Sequence, residues 1–146
     1  MPVMVLIADG DAAGRAMARR TIEGVVQVVG EAANDEEAMR LAQELMPDVI
    51  LIDIDLPRGG GVPFTHRLKA QQPGIKVILT TGHEEERYLS ATGRSGADAL
   101  LPKKSIKAEA LSVIRGVTGD LLRRWDGRER RRAAAPWNGI ERRTFR

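Results

Sequence analysis

The chain has 146 residues, 42% hydrophobic and 29% charged, which suits one soluble domain of ordinary size with a real core. It contains no cysteine, which excludes disulfides, thiolate metal sites and cysteine nucleophiles together. The net charge of +3 is unevenly spread: residues 123–146 hold nine arginines against Asp126, Glu129 and Glu141, so the rest of the chain is mildly acidic.

VMVLIA (residues 3–8) reads as an apolar strand that meets Asp9. Asp11 is placed to cap a helix over residues 12–23, and residues 25–29 form a short β-branched run. Asn34 caps DEEAMRLAQELM, where Ala38, Leu41, Ala42 and Leu45 recur at helical spacing before Pro47 stops the run. In PDVILIDIDLPRGGG (47–61) a third strand ends in Asp53, with Asp55, Pro57 and a three-glycine turn behind it. A helix over 62–71 is closed by Pro73-Gly74, KVILT (76–80) is a fourth strand, and 84–92 reads as another helix. Residues 97–101 give a fifth strand. From Ser105, the spacing of Ile106, Ala110, Leu111, Ile114, Val117, Leu121 and Leu122 predicts a long amphipathic helix to 122, weakened by Gly116 and Gly119.

Five strands alternating with five helices predict an α/β fold, and continuous rather than alternating apolar strands predict a parallel sheet covered on both faces. Past about Asp126 the periodicity fails, so residues 1–122 are expected to form the domain and 123–146 an arginine-rich extension. No apolar run approaches the roughly 20 residues that span a bilayer. The opening MPVMVLIADG lacks the basic leader of a signal peptide, and a cytoplasmic location is expected.

In an open α/β sheet, chemistry collects at the carboxyl ends of the strands. Those ends here carry Asp9 with Asp11, Asp53, Thr80 with Thr81, and Lys103 with Lys104. Clustered carboxylates repel, so such a rim calls for a cation, and hard oxygen ligands suit Mg²⁺. A carboxylate beside Mg²⁺ is a nucleophile toward phosphorus, and a lysine neutralises the transferred oxygens. Asp53 is therefore the expected phosphate acceptor. Neither G-x-x-x-x-G-K-[ST] nor G-x-G-x-x-G occurs, which disfavours a nucleotide-binding enzyme. His66 and His83 lack partners at ligand spacing and are expected at the surface.

Four stretches, VLIADGD, PDVILIDIDLP, VILTTG and GADALLPKKS, stand in the order and at spacings compatible with a response-regulator receiver domain of two-component signalling, which residues 1 to about 122 resemble. The resemblance implies a flavodoxin-like fold, doubly wound, with strand order 2-1-3-4-5. It also implies a signalling role rather than an enzymatic one. Asp53 matches the phosphoacceptor, Asp9 the first acid of the metal-binding pair, and the backbone carbonyl of Asp55 a metal ligand. Thr81 matches the switch hydroxyl and Lys103 the phosphoryl-contacting lysine. The implied partners are a histidine kinase or phosphotransfer protein, an unnamed downstream protein bound by the face of the 84–92 helix, fifth strand and last helix, and an open question of homodimer formation.

Three positions depart from the family pattern. Gly10 stands where the second acid belongs, which predicts weak Mg²⁺ binding; Asp11 is a candidate replacement ligand, competing with its role as helix cap. Leu100 holds the place of the aromatic switch residue. Pro102 precedes Lys103, and Lys104 takes the place where proline usually follows. Gly10 and Leu100 support a rival in which the chain is a phosphorylation-independent pseudo-receiver. A second rival is a DNA-associated regulator acting through the basic tail; the 43 residues after Lys103 are expected to be too few for a helix-turn-helix domain beside the last helix, leaving only nonspecific binding.

Overall fold

In the computed structural model, which describes residues 2–82 and 96–119, the apolar runs become one sheet. Strands β1 (Met4–Ala8), β2 (Gln27–Ala32), β3 (Val49–Asp53), β4 (Lys76–Thr81) and β5 (Ala99–Pro102) pair in parallel in the order β2-β1-β3-β4-β5. This is the flavodoxin-like order. Helices α1 (Ala12–Ile22), α2 (Asp35–Leu45), α3 (Gly61–Gln71) and α4 (Ile106–Val117) cover it, with a 3₁₀ turn (Lys103–Ser105) leading into α4. The fifth expected helix, at 84–92, lies outside the described residues, as do His83 and the extension at 123–146. Among the described residues no helix is long and apolar enough to cross a membrane.

Successive strand side chains point to opposite faces, so each strand feeds two cores. Leu6, Ala8, Ile50, Ile52 and Leu79 pack with Ala38, Ala42, Phe64 and Leu68 of α2 and α3. Val5, Ile7, Val49, Leu51 and Ile78 pack with Ala18, Ile22, Ala110 and Ile114 of α1 and α4. Each fully buried side chain of this size stabilises by roughly 1.5–3 kcal/mol. The helix starts follow local capping. Asp11 accepts from Ala13 N and Gly14 N, and Asn34 Oδ1 accepts from Glu37 N at 2.8 Å while Glu37 Oε1 accepts from Ala33 N at 2.7 Å. Met46, in the left-handed region at φ 48°, ends α2 before Pro47.

One expected boundary is corrected. The second strand is Gln27–Ala32 rather than 25–29. Val25 N and Val26 N both donate to Ile22 O at 3.0 Å, so the chain is still turning off α1 where composition suggested strand, and Val25 is left exposed. Beyond Val29, pairing continues through Leu6↔Gly30 and Ile7↔Glu31. Gly30 fits inside this strand, where a Cβ would press on Leu45 Cδ1 and Leu6 Cδ1 at 3.2 and 3.4 Å. The last helix is described over Ile106–Val117, where Thr118 N and Oγ1 both donate to Ile114 O, at 3.0 and 2.7 Å; its expected continuation to 122 runs outside the described residues.

Candidate functional site

Asp9 follows β1 and Asp53 ends β3, and the register Ala8↔Ile52 delivers both acids to the same rim. They are 6% and 7% exposed, so neither is an ordinary surface carboxylate. Each acid is oriented in the same way by its own loop. Asp11 N donates to Asp9 Oδ1 at 2.8 Å, and Asp55 N donates to Asp53 Oδ1 at 3.1 Å. The remaining oxygen of each meets one ammonium: Lys103 Nζ lies 3.1 Å from Asp9 Oδ2 and 3.2 Å from Asp53 Oδ2.

The Pro102 departure does not misdirect that lysine. Pro102 ends edge strand β5, and at φ −61° it starts the 3₁₀ turn that carries Lys103 between the acids. Thr81 closes β4 opposite Pro102 and is buried. Thr80, its neighbour, donates to Ile52 O at 3.4 Å. A Cβ on Gly82 would lie 3.9 Å from Lys103 Cδ, which places the end of β4 beside the lysine stem.

Two carboxylates share one cation, and this governs the electrostatics. Burial pushes the Asp53 carboxyl above the ordinary range; the Asp55 N–H and Lys103 oppose that rise, and the Asp9 charge adds to it. Burial pulls Lys103 down, but its hydrogen bond to Asp9 and the charges of Asp53 and Asp9 outweigh it, so the ammonium is held above its usual value. The two directions agree physically. Lysine facing two acids stays charged, while an acid with half a lysine is under-compensated. The cluster has a net charge of −1 and room for further positive charge.

Among the described residues no three His, Cys, Asp or Glu side chains group to hold a metal. The donors at hand are the carboxylates of Asp9 and Asp53, both hard oxygens. That chemistry fits a small divalent cation that keeps several waters. Asp11 serves as the cap of α1, its two oxygens receiving Ala13 N at 3.3 Å and Gly14 N at 3.2 Å. The second-acid position is filled from across the rim: a Cβ on Gly10 would come 2.5 Å from Pro57 Cγ and 2.7 Å from Cδ. Leu100, half-buried, packs on the core of the α2–α3 face, and His66 is exposed on α3.

Several contributors escaped the sequence reading. Gly61, read as part of a turn, begins α3 and approaches the end of β3 so closely that a Cβ would meet Asp53 O at 2.5 Å. Arg58 holds φ 85°, and its loop is strapped to α2 by Asp35 Oδ2, which accepts from Gly59 N at 3.0 Å, and by the Glu36–Arg58 pair at 3.1 Å. Helical spacing offered one hint, since Asp35 and Glu36 are acids in the first turn of α2.

Residues 5–115 match the family model of the response regulator receiver domain. The chain belongs to that family. The response regulator GacA of Pseudomonas aeruginosa is 40% identical over 96 residues, covering 66% of this chain and 44% of its own length. The response regulator UvrY of Escherichia coli K12 is 32% identical over 117 residues, 79% of this chain and 54% of that one. The chain thus spans about half the length of these curated relatives. Among solved structures, a LuxR-family two-component response regulator from Aurantimonas sp. SI85-9A1 superposes with TM-score 0.77 at 27% identity, covering 82% of this chain and 87% of that one. The response regulator domain of Thermotoga maritima CheB superposes with TM-score 0.74 at 26% identity, covering 82% and 98%. The family's members are signalling proteins of two-component systems, and the four stretches that suggested the resemblance all lie within or beside the matched residues.

Proposed function

We propose that this receiver takes a phosphoryl group onto Asp53 from a phosphohistidine of a histidine kinase or phosphotransfer protein. The observation that carries the proposal is the Asp53 carboxylate itself, buried at the rim, with one oxygen fixed by Asp55 N and the other facing an ammonium shared with Asp9. A carboxylate oxygen of Asp53 attacks phosphorus, the P–N bond breaks, and the imidazole leaves and takes up a proton from solvent; the product is an acyl phosphate. Asp55 N keeps the nucleophile oriented, so little ordering is needed at the moment of attack. Lys103 exchanges its contact with Asp53 for one with the phosphoryl oxygens, and Thr81, at the end of β4, donates its hydroxyl to the same group. Bound to Asp9, Asp53 and the Asp55 carbonyl, Mg²⁺ would supply positive charge to neutralise these oxygens.

Output follows from the same geometry. Thr81 pairs with Pro102, so movement of the hydroxyl toward phosphate is felt directly by β5 and the start of α4. The downstream protein would read that face. Leu100 supplies no ring to follow Thr81, so the coupling runs through backbone and aliphatic packing. One observation favours the pseudo-receiver instead: the Pro57 ring fills the place where a second acid would begin.

Intact mass separates the two. With acetyl phosphate and Mg²⁺ the wild type gains one phosphoryl group and Asp53→Asn gains none. An unchanged wild-type mass under saturating donor rejects the phosphoacceptor role, and labelling that survives Asp53→Asn moves the phosphate elsewhere.

A further inference from the structure

Asp9 is held at four points, and one of them comes from outside the rim. Its N–H donates to Ala32 O at 2.9 Å, its Oδ1 accepts from Asp11 N, and its Oδ2 faces Lys103. Its main-chain carbonyl accepts from Arg15 Nη1 at 2.7 Å, a short, charge-assisted bond. The guanidinium is itself fixed, with Arg15 Nε 3.2 Å from Glu31 Oε1, while Glu31 Oε2 takes Arg19 Nη1 at 2.6 Å. Arg15 is 19% exposed, so water competes little for this contact.

The arrangement matters because of Gly10. A glycine after Asp9 frees the Asp9–Gly10 peptide to rotate, and it brings no side chain that a cation could hold from the other side. We propose that Arg15, braced by Glu31 of β2, is a positioning residue that fixes the Asp9–Gly10 peptide and so aims the Asp9 carboxylate at a divalent cation. This rests on the metal site assigned above, and it places the anchoring that Gly10 cannot give on the neighbouring helix and edge strand.

The sign of the effect distinguishes positioning from charge. A guanidinium near a cation site repels the cation, so deleting it for electrostatic reasons alone would tighten Mg²⁺ binding. Positioning predicts the reverse. Mg²⁺ is titrated into the full chain with no phosphodonor, following the backbone amide NMR shifts of Gly10 and Asp11, with thermal unfolding run in parallel. Arg15→Ala is expected to weaken Mg²⁺ about tenfold, the usual scale for losing a group that orients a ligand. Glu31→Gln, which leaves the Arg15 charge in place but loosens its brace, is expected to move in the same direction. Arg15→Lys recovers part of the loss through its single donor.

Unchanged or tighter Mg²⁺ binding in Arg15→Ala overturns the proposal, as does a lowered melting temperature with unaltered Mg²⁺ affinity. Should Arg15→Ala fail to fold, wild-type affinity in Glu31→Gln overturns it equally. A wild type whose Gly10 and Asp11 amides ignore Mg²⁺ overturns it together with the metal site. Weakened binding in the variants of a wild type that takes no phosphoryl group supports the role of Arg15 and rejects only the phosphoacceptor role of Asp53.

Discussion

The two ends of the sheet use the same residue types to opposite ends. At the amino ends of the strands, Asp48 Oδ2 accepts from Met4 N at 2.8 Å, and Asp98 Oδ2 accepts from Val77 N and Lys69 Nζ, each at 2.8 Å. These acids pin one strand to the next, and Lys69 gives a further bond to Ile75 O at 2.8 Å. At the carboxyl ends, Asp9 and Asp53 spend one oxygen each on their own loops and aim the other at Lys103. The lysines record the difference. Burial drives Lys69 below its usual pKa against the one carboxylate of Asp98, whereas two carboxylates lift Lys103 above its own. A half-buried acid is therefore no sign of function by itself. What distinguishes the rim is carboxylate charge left without enough partners.

Exchanging the lysines is the strongest attack on that comparison. Lys103→Ala should slow Asp53 phosphorylation by about a hundredfold or more, the scale of losing one preorganised charge at a transferring group. Lys69→Ala should leave the rate nearly unchanged and cost about 2 kcal/mol of stability, because Ile75 O loses its side-chain donor and Asp98 keeps only Val77 N. Single-turnover labelling and urea unfolding of both variants read the two effects. Comparable loss of labelling in both would erase the distinction between the ends.

Gly10 tests how tightly the rim is packed. Gly10→Asp drives a Cβ into the Pro57 ring, and overpacking of this kind costs about 1–3 kcal/mol. Pro57→Ala added to it should restore stability and let the new carboxylate tighten Mg²⁺. If Gly10→Asp alone melts with the wild type and already binds Mg²⁺ more tightly, the ring does not guard that position.

The smallest effect belongs to the structural end and depends on pH. Burial raises Asp48 above the usual carboxylate value of 3.8, with the Met4 N–H opposing. The folded state then holds its proton more firmly than the unfolded chain does. Its contribution is fully present below the unfolded pKa and is lost as pH rises through the folded one. Asp48→Asn keeps an acceptor for Met4 N and cannot ionise, so it should match the wild type near pH 3, gain on it as pH rises from the unfolded pKa through the folded one, and hold that gain to neutrality. A wild type that gains on the variant over that rise would mean that the ionised carboxylate is the favoured form.

The sequence alone carried the alternation of elements, the parallel sheet and the acids and lysine at its carboxyl rim, because continuous apolar runs and the residues that end them are local signals. Asp9, Asp53 and Lys103 could be chosen as partners only through family resemblance and the rule for strand ends; their shared contact depends on the register Ala8↔Ile52 and on the turn after Pro102. The bounds of β2 were misjudged for the same reason, since pairing with β1 outweighs the apolar count of residues 25–29. Tertiary structure alone decided that Pro57 closes on Gly10, that Gly61 must lack a side chain beneath Asp53 O, and that Arg15 reaches the Asp9 carbonyl. Each is a close approach between separate segments. Periodicity says which face a residue occupies, but only packing in three dimensions sets which atoms meet there.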